Sequence, residues 1–123
     1  LGDNGHIKLD GPPISLPARH AQALALCLHE LATNAAKYGA LSVDEGVLTV
    51  RWRSSHGQLE LSWIERGGAP VVAPKRSGFG GTLLKRSLQP FGGRVELHWA
   101  ELGLSAQITL PLQANPDPEP DPA

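Results

Sequence analysis

The longest regular pattern in the chain lies between residues 18 and 37, a stretch without proline or glycine. Apolar residues recur there at intervals of three and four, which predicts one long helix with a single buried face. That face is predicted to consist of Leu24, Leu28, Leu31, Ala35 and Tyr38. Ser15 and Pro17 indicate where the helix starts, and Gly39 is placed to cap its C-terminal end.

Five shorter segments are predicted to be strands, because they alternate apolar and polar residues or are rich in β-branched and aromatic ones. They are residues 6–10, 46–53, 58–65, 94–99 and 104–110. In the third segment Leu59, Leu61 and Trp63 share one face, as alternation along a strand requires. Residues 54–57 have the composition of a hairpin turn, and another turn is expected around Gly103.

A second helix is predicted over residues 82–89, where Leu83, Leu84 and Leu88 form an apolar side. It follows a loop over residues 66–81 that contains five glycines. The element order is strand, helix, two strands, loop, helix, two strands, with short links between consecutive strands. This order predicts a mixed, mostly antiparallel sheet with the helices packed on one face, which is a two-layer α/β sandwich.

Composition narrows the possible classes of protein. A chain of 123 residues holds one domain, expected over residues 6–112, and the proline-rich acidic residues 113–123 are expected to be disordered. A net charge of -1 gives no indication of broad electrostatic binding to nucleic acid or anionic membrane. The single cysteine, Cys27, excludes an internal disulfide. No signal peptide or membrane-spanning run is found, so a cytoplasmic setting is expected.

The first candidate binding residues lie on the long predicted helix. Glu30, Asn34 and Lys37 stack in one stripe about 10 Å long, because residues three and four apart share a helix face. A carboxylate, an amide and an amine in line are compatible with a binding site, although an ordinary solvated helix face carries such residues more often. His29 and Glu30 also begin a zinc-protease motif, but Thr33 stands where that motif needs a second histidine. The metalloprotease class is therefore excluded.

The glycine-rich segment 77–82 leads directly into the second predicted helix. Glycines let a backbone approach a ligand closely, and a helix N-terminus attracts anions, so the segment fits a phosphate cradle. It is neither a Walker A loop nor a convincing dinucleotide fingerprint. On its own the segment is equally compatible with a plain surface loop.

A third candidate lies at the end of a predicted strand, where Glu65 is followed by Gly67 and Gly68. A carboxylate at a strand end, beside a glycine backbone, can accept a hydrogen bond from the amino group of a base. The competing interpretation is a surface glutamate before a turn, which is common.

Taken in order, three segments resemble the conserved boxes of the catalytic ATP-binding domain of sensor histidine kinases. They are His29–Gly39 (HELATNAAKYG), Trp63–Pro70 (WIERGGAP) and Gly78–Gly81 (GFGG). More narrowly, the histidine and the Trp-x-Glu in these boxes resemble the HWE subfamily. The resemblance runs from about Ile7 to Leu112, and it implies the Bergerat ATP-binding fold with ATP and Mg²⁺ as ligands.

The resemblance also implies roles for individual residues. Asn34 would coordinate Mg²⁺, Glu30 would assist phosphoryl transfer as a base or water-orienting group, and Lys37 would contact phosphate. Glu65 would accept a hydrogen bond from the adenine amino group. The remaining nucleotide-binding positions implied are Gly67, Gly68, Gly78, Gly80, Gly81 and Thr82.

The sequence departs from the wider family in two places, both typical of the subfamily. The segment between Pro70 and Gly78, where a long ATP lid usually lies, is short. Strand 46–53 follows the first helix almost directly, so an expected intervening helix is missing or reduced. The resemblance gives His29 and Trp63 no chemical step, and Trp63 lies in the apolar register of its strand.

The resemblance implies partners outside the chain, because none of the five histidines resembles a phospho-acceptor. The acceptor would lie on a dimerisation domain of the same kinase, compatible with a dimeric full-length protein, and a response regulator would act downstream. No nucleic-acid partner or direct membrane insertion is expected. The alternatives are a serine kinase or ATPase of the same fold, or a non-catalytic nucleotide-binding or docking module. The presence of Glu30 favours an enzyme, since a degenerate module would be expected to lose it.

Overall fold

The computed structural model describes residues 6–68, 81–100 and 102–112, with residues 81–83 described by their backbone alone. Its strands are β1 (Ile7–Asp10), β2 (Val47–Ser55), β3 (Gln58–Arg66), β4 (Arg94–Ala100) and β5 (Gly103–Pro111). The α-helices are α1 (Ala18–Tyr38) and α2 (Gly81–Leu88), and one-turn 3₁₀ helices cover Ala40–Ser42 and Gln89–Phe91. Both predicted helices and the five predicted strands are confirmed, whereas the predictions for residues 69–80 and 113–123 lie outside the described residues.

The strands form one sheet in the order β1-β2-β3-β5-β4. Only the β1–β2 pairing is parallel among the described strands, and the other three pairings are antiparallel. This arrangement confirms the predicted mixed, mostly antiparallel sheet. The β2–β3 hairpin turns at His56 and Gly57, both with positive φ (55° and 74°), which is the geometry of a two-residue hairpin turn that matches the twist of its strands.

Both helices pack on one face of the sheet and bury a single core. The core contains Leu24, Cys27, Leu31, Ala35, Leu48, Val50, Leu59, Leu61, Trp63, Leu84, Leu88, Val95, Leu104, Ala106, Ile108 and Leu110. On β3 every second residue from Leu59 to Glu65 is buried, which confirms the predicted alternation. The two-layer α/β sandwich is thus the observed architecture. Within the described ranges, neither helix combines the length and hydrophobicity that crossing a bilayer requires.

The predicted buried face of α1 needs one correction. Leu24, Leu31 and Ala35 are buried and Leu28 is half-buried against the core, but Tyr38 is 52% exposed. Tyr38 is the last residue of α1, where the chain turns away from the helix, so the periodicity that places it on the buried side no longer decides its environment. Cys27 is fully buried instead.

The end of α1 is compact. The Gly39 N–H donates to the Ala35 carbonyl at 3.0 Å, which confirms Gly39 as the helix cap, although its φ of -115° is not left-handed. Between α1 and β2 the only helical element is the 3₁₀ turn Ala40–Ser42, within the described residues 39–46. The intervening helix expected from the wider family is therefore reduced to a single turn.

Candidate functional site

The C-terminal half of α1 carries Glu30, Asn34 and Lys37 along one side, here named the polar flank. Successive residues are rotated by about 100° around a helix, so all three fall to one side of the buried stripe centred on Leu31. The side chains of Glu30 and Asn34 are half-buried, and that of Lys37 is exposed. The structure therefore brings these three predicted site residues together on one flank, accessible to a ligand.

The opposite flank of α1 has a different character. Leu28 and Ala32 lie there and line an apolar cavity of about 520 Å³. Residues of β1 and of the proline-containing segment 12–16 line it from the other side. The polar flank and the apolar cavity are thus separated by α1 itself. His29 points away from the sheet and is exposed, so the structure assigns it no contact with either.

Helix α2 packs beside α1 on the side of the polar flank. The Cys27 thiol donates a hydrogen bond to the main-chain oxygen of Leu84 at 3.5 Å. Earlier in α1, the ring of His20 contacts the ring of Phe91, which follows α2, with centroids 4.7 Å apart. The two helices are therefore antiparallel, and the N-terminus of α2, at Gly81, lies toward the C-terminal half of α1. A helix N-terminus presents unpaired N–H groups and a positive dipole end.

Glu65 is a buried carboxylate at the end of β3, only 2% exposed. Its Oε1 accepts the main-chain N–H of Ala40 at 3.1 Å. Its Oε2 accepts the indole N–H of Trp63 at 2.8 Å. A carboxylate has about four lone-pair directions, and the residues that the structure describes occupy one on each oxygen. The structure thus joins the end of β3 to the end of α1 through a buried polar group.

Trp63 explains how a carboxylate is accommodated at this buried position. Residues two apart on a strand share a face, so Trp63 and Glu65 both point into the helix layer. Trp63 is 3% exposed, which confirms its expected place in the core. It also holds Glu65 by a side-chain hydrogen bond, a contact that the sequence reasoning missed. The signal in the sequence was the Trp-x-Glu spacing on a buried strand.

Three glycines pack closely around the end of α1 and the end of β3. A Cβ on Gly39 would overlap Glu65 Oε1, and a Cβ on Gly68 would lie 2.6 Å from the Cα of Ala40. Gly67 has φ +74°, a conformation that L side chains rarely adopt. The structure therefore gives Gly67 and Gly68 a packing reason, close approach to the turn after α1, independent of any ligand.

The remaining predicted positions are only partly described. Gly81 and Thr82 form the start of α2, as far as the backbone shows. Gly78 and Gly80 lie outside the described residues. At the C-terminal end of α1 the described structure therefore gathers the polar flank, Glu65, two of the predicted glycines and the start of α2.

Comparison with known sequences gives close relatives. No protein-family model matches the chain. The chain is 44% identical over 110 residues to blue-light-activated histidine kinase 1 of Erythrobacter litoralis, covering 86% of the chain and 30% of the relative. It is 36% identical over 123 residues to a blue-light-activated histidine kinase of Brucella anthropi, covering 95% of the chain and 25% of the relative. The chain thus spans less than a third of the length of these curated relatives.

Solved structures show the same fold. The histidine kinase domain of the Erythrobacter litoralis EL346 blue-light-activated histidine kinase superposes with a TM-score of 0.71 at 22% identity, covering 89% of the chain and 53% of that structure. The catalytic domain of the histidine kinase ThkA superposes with a TM-score of 0.64 at 14% identity, covering 85% of the chain and 76% of that structure.

Proposed function

The chain belongs to the HWE-type histidine kinases, as a catalytic domain, and we propose that it binds Mg²⁺-ATP and donates the γ-phosphoryl group to a histidine. That histidine would lie on a dimerisation domain outside this chain, and a response regulator would receive the phosphoryl group next. The observation that carries the proposal is the bond between Glu65 and Ala40. It places a buried acceptor at the same end of α1 as the polar flank.

Adenine recognition would fall to Glu65. Among the described residues its carboxylate accepts one hydrogen bond on each oxygen and has one further lone-pair direction on each, and the adenine amino group is a hydrogen-bond donor. Guanine presents a carbonyl oxygen at the same position, which would face the carboxylate without a proton between them. A buried acceptor left without its donor is costly, so the site should prefer ATP over GTP.

The phosphate end would lie on the polar flank. Mg²⁺ takes hard oxygen ligands and usually keeps several waters, so one or two protein groups plus phosphate oxygens suffice to hold it. The half-buried amide of Asn34 fits this requirement, and bound Mg²⁺ would neutralise charge on the phosphate oxygens. Lys37 would contact phosphate as a point charge. The N-terminus of α2 lies toward this flank and would attract the same anion.

Glu30 would act on the incoming nucleophile. It lies one helical turn before Asn34, so a group that attacks the γ-phosphorus can reach its carboxylate. Phosphoryl transfer depends mainly on positioning and charge stabilisation, and Glu30 would orient the acceptor imidazole and accept its proton. In an ATPase, the same carboxylate would orient water instead.

The test is transfer of ³²P from [γ-³²P]ATP to the full-length kinase or to a supplied dimerisation domain. Label that is labile in acid and stable in base indicates phosphohistidine, which is the expected result. Acid-stable label would replace the proposal with a serine kinase. ATP binding without any transfer to the acceptor would replace it with a nucleotide-binding or docking module.

A further inference from the structure

We propose that Trp63 is a positioning residue for nucleotide recognition. Its indole N–H fixes the Glu65 carboxylate, so the preference of the site for the adenine amino group depends on Trp63. This inference rests on the proposed function, because it assumes that adenine binds at Glu65. It adds a role for a residue that touches neither the nucleotide phosphates nor the acceptor in that proposal.

Two hydrogen bonds, one on each oxygen, hold the Glu65 carboxylate. A glutamate side chain has one more rotatable bond than an aspartate side chain, so its carboxylate can take more orientations. Here one oxygen is held by the main chain of Ala40 and the other by the side chain of Trp63. Two anchors on different oxygens fix the plane of the group, which leaves the remaining lone pairs pointing in set directions. Loss of either anchor restores rotation.

Trp63 is itself restricted by its place in the sheet. Trp63 is 3% exposed and lies between Val50 of β2 and Ala106 of β5 in the strand register. Both of these neighbours are also buried. Trp63 also borders the apolar cavity, but its burial and its bond to Glu65 restrict its rotamers, so its N–H is held toward Glu65 before a ligand binds. The site is preorganised on a sheet rather than on a loop.

The backbone of Gly39 lies against Oε1 of Glu65, the oxygen that accepts the Ala40 N–H. A Cβ on Gly39 would overlap Oε1 of Glu65 and lie 3.2 Å from the Cα of Ala35. The Gly39→Ala substitution would therefore push the carboxylate away from its Ala40 anchor while leaving Trp63 unchanged. It provides a second way to disturb the same orientation.

The experiment compares two nucleotides by calorimetry on the full 123-residue chain with Mg²⁺ present. One is ATP, and the other is purine riboside triphosphate, which lacks the 6-amino group. Wild type should bind ATP roughly tenfold or more tightly than the analogue, since the amino group makes a charge-assisted hydrogen bond. Trp63→Phe should weaken ATP binding roughly tenfold and leave the analogue unchanged, so the ratio of the two dissociation constants approaches one.

Trp52→Phe is the matched control. The Trp52 indole also donates a hydrogen bond, to the Pro12 carbonyl at 2.7 Å, but it lies on the neighbouring strand and away from Glu65. Its substitution should leave the nucleotide ratio at the wild-type value. Gly39→Ala should lower the ratio with both tryptophans intact, and it keeps the test decisive if Trp63→Phe fails to fold.

The outcomes separate this inference from the proposed function. If folded Trp63→Phe keeps the wild-type ratio of the two dissociation constants, the positioning role is overturned. An equal loss of affinity for both nucleotides would overturn it too, because such a loss indicates a packing effect alone. A wild type that binds both nucleotides equally, or neither, would refute adenine binding at Glu65 and with it this inference.

Discussion

The hydrogen bond between Trp63 and Glu65 predicts a measurable coupling in the stability of the ligand-free domain. The perturbations are Trp63→Phe, which keeps an aromatic ring and removes the N–H, and Glu65→Gln, which keeps the shape of the side chain. The carboxylate accepts one bond on each oxygen, whereas an amide has a single acceptor oxygen. Whichever way the introduced amide turns, either the Trp63 or the Ala40 donor faces an NH₂ group.

The expected magnitude follows from burial. Glu65 and Trp63 are 2% and 3% exposed, so water does not replace the lost partner, and a buried unsatisfied donor costs about 1–3 kcal/mol. Glu65→Gln should therefore lower the free energy of unfolding by about 1–3 kcal/mol, which for a chain of 123 residues lowers the melting temperature by about 4 °C per kcal/mol. Trp63→Phe should cost less in the Glu65→Gln background than in wild type.

The assay is a double-mutant cycle by urea unfolding at neutral pH, with wild type, both single variants and the double variant. We expect a coupling free energy of about 1 kcal/mol or more between the two sites. The control cycle joins Ser62 and Gln107, whose side chains form an exposed hydrogen bond of 2.8 Å and should couple by less than about 0.5 kcal/mol. Additive effects of Trp63→Phe and Glu65→Gln would refute the reasoning.

Three further predictions concern α1. Asn34→Ala should remove the Mg²⁺-dependent part of ATP binding, and unchanged affinity by calorimetry with and without Mg²⁺ would contradict the metal role. Glu30→Gln should keep ATP binding and reduce transfer to the acceptor histidine by about 10²-fold or more, so normal phosphorylation by that variant would refute its assignment. Burial raises the pKa of the Cys27 thiol from 9.0 to about 11. The thiol therefore ionises at lower pH in the unfolded state than in the folded state, and the free energy of unfolding should fall as pH rises between these values. The stability difference between wild type and Cys27→Ala should shrink by about 2–3 kcal/mol between pH 8 and 11, and a pH-independent difference would contradict the buried thiol.

The sequence predicts the layers well, because they depend on local periodicity. Intervals of three and four define α1, alternation defines β3, and both are confirmed. Tyr38 shows the limit of this reasoning, because at a helix end the path of the chain decides exposure. The burial of Cys27 depends on α2 packing across it, which no local pattern of α1 contains.

The candidate site was predictable to a similar degree. The polar flank follows from helical spacing alone, and the structure keeps Glu30 and Asn34 half-buried on one side. The contact between Glu65 and Ala40 joins residues 25 apart in the sequence, so it depends on how the end of α1 meets β3. The bond from Trp63 was implicit in the spacing of two on a strand. The sequence alone did not show that the Glu65 carboxylate is buried as well.

The central claim is that nucleotide binds beside Glu65, on the polar side of α1, and the indole N–H signals in ¹⁵N-correlated NMR spectra test it most directly. The Trp63 N–H donates to Glu65 and the Trp52 N–H donates to Pro12, so the two signals report on different hydrogen bonds. Titration with Mg²⁺ and a non-hydrolysable ATP analogue should shift the Trp63 signal in a saturable way and leave the Trp52 signal in place. An unmoved Trp63 signal at saturation, or a shift of Trp52 alone, would contradict the account.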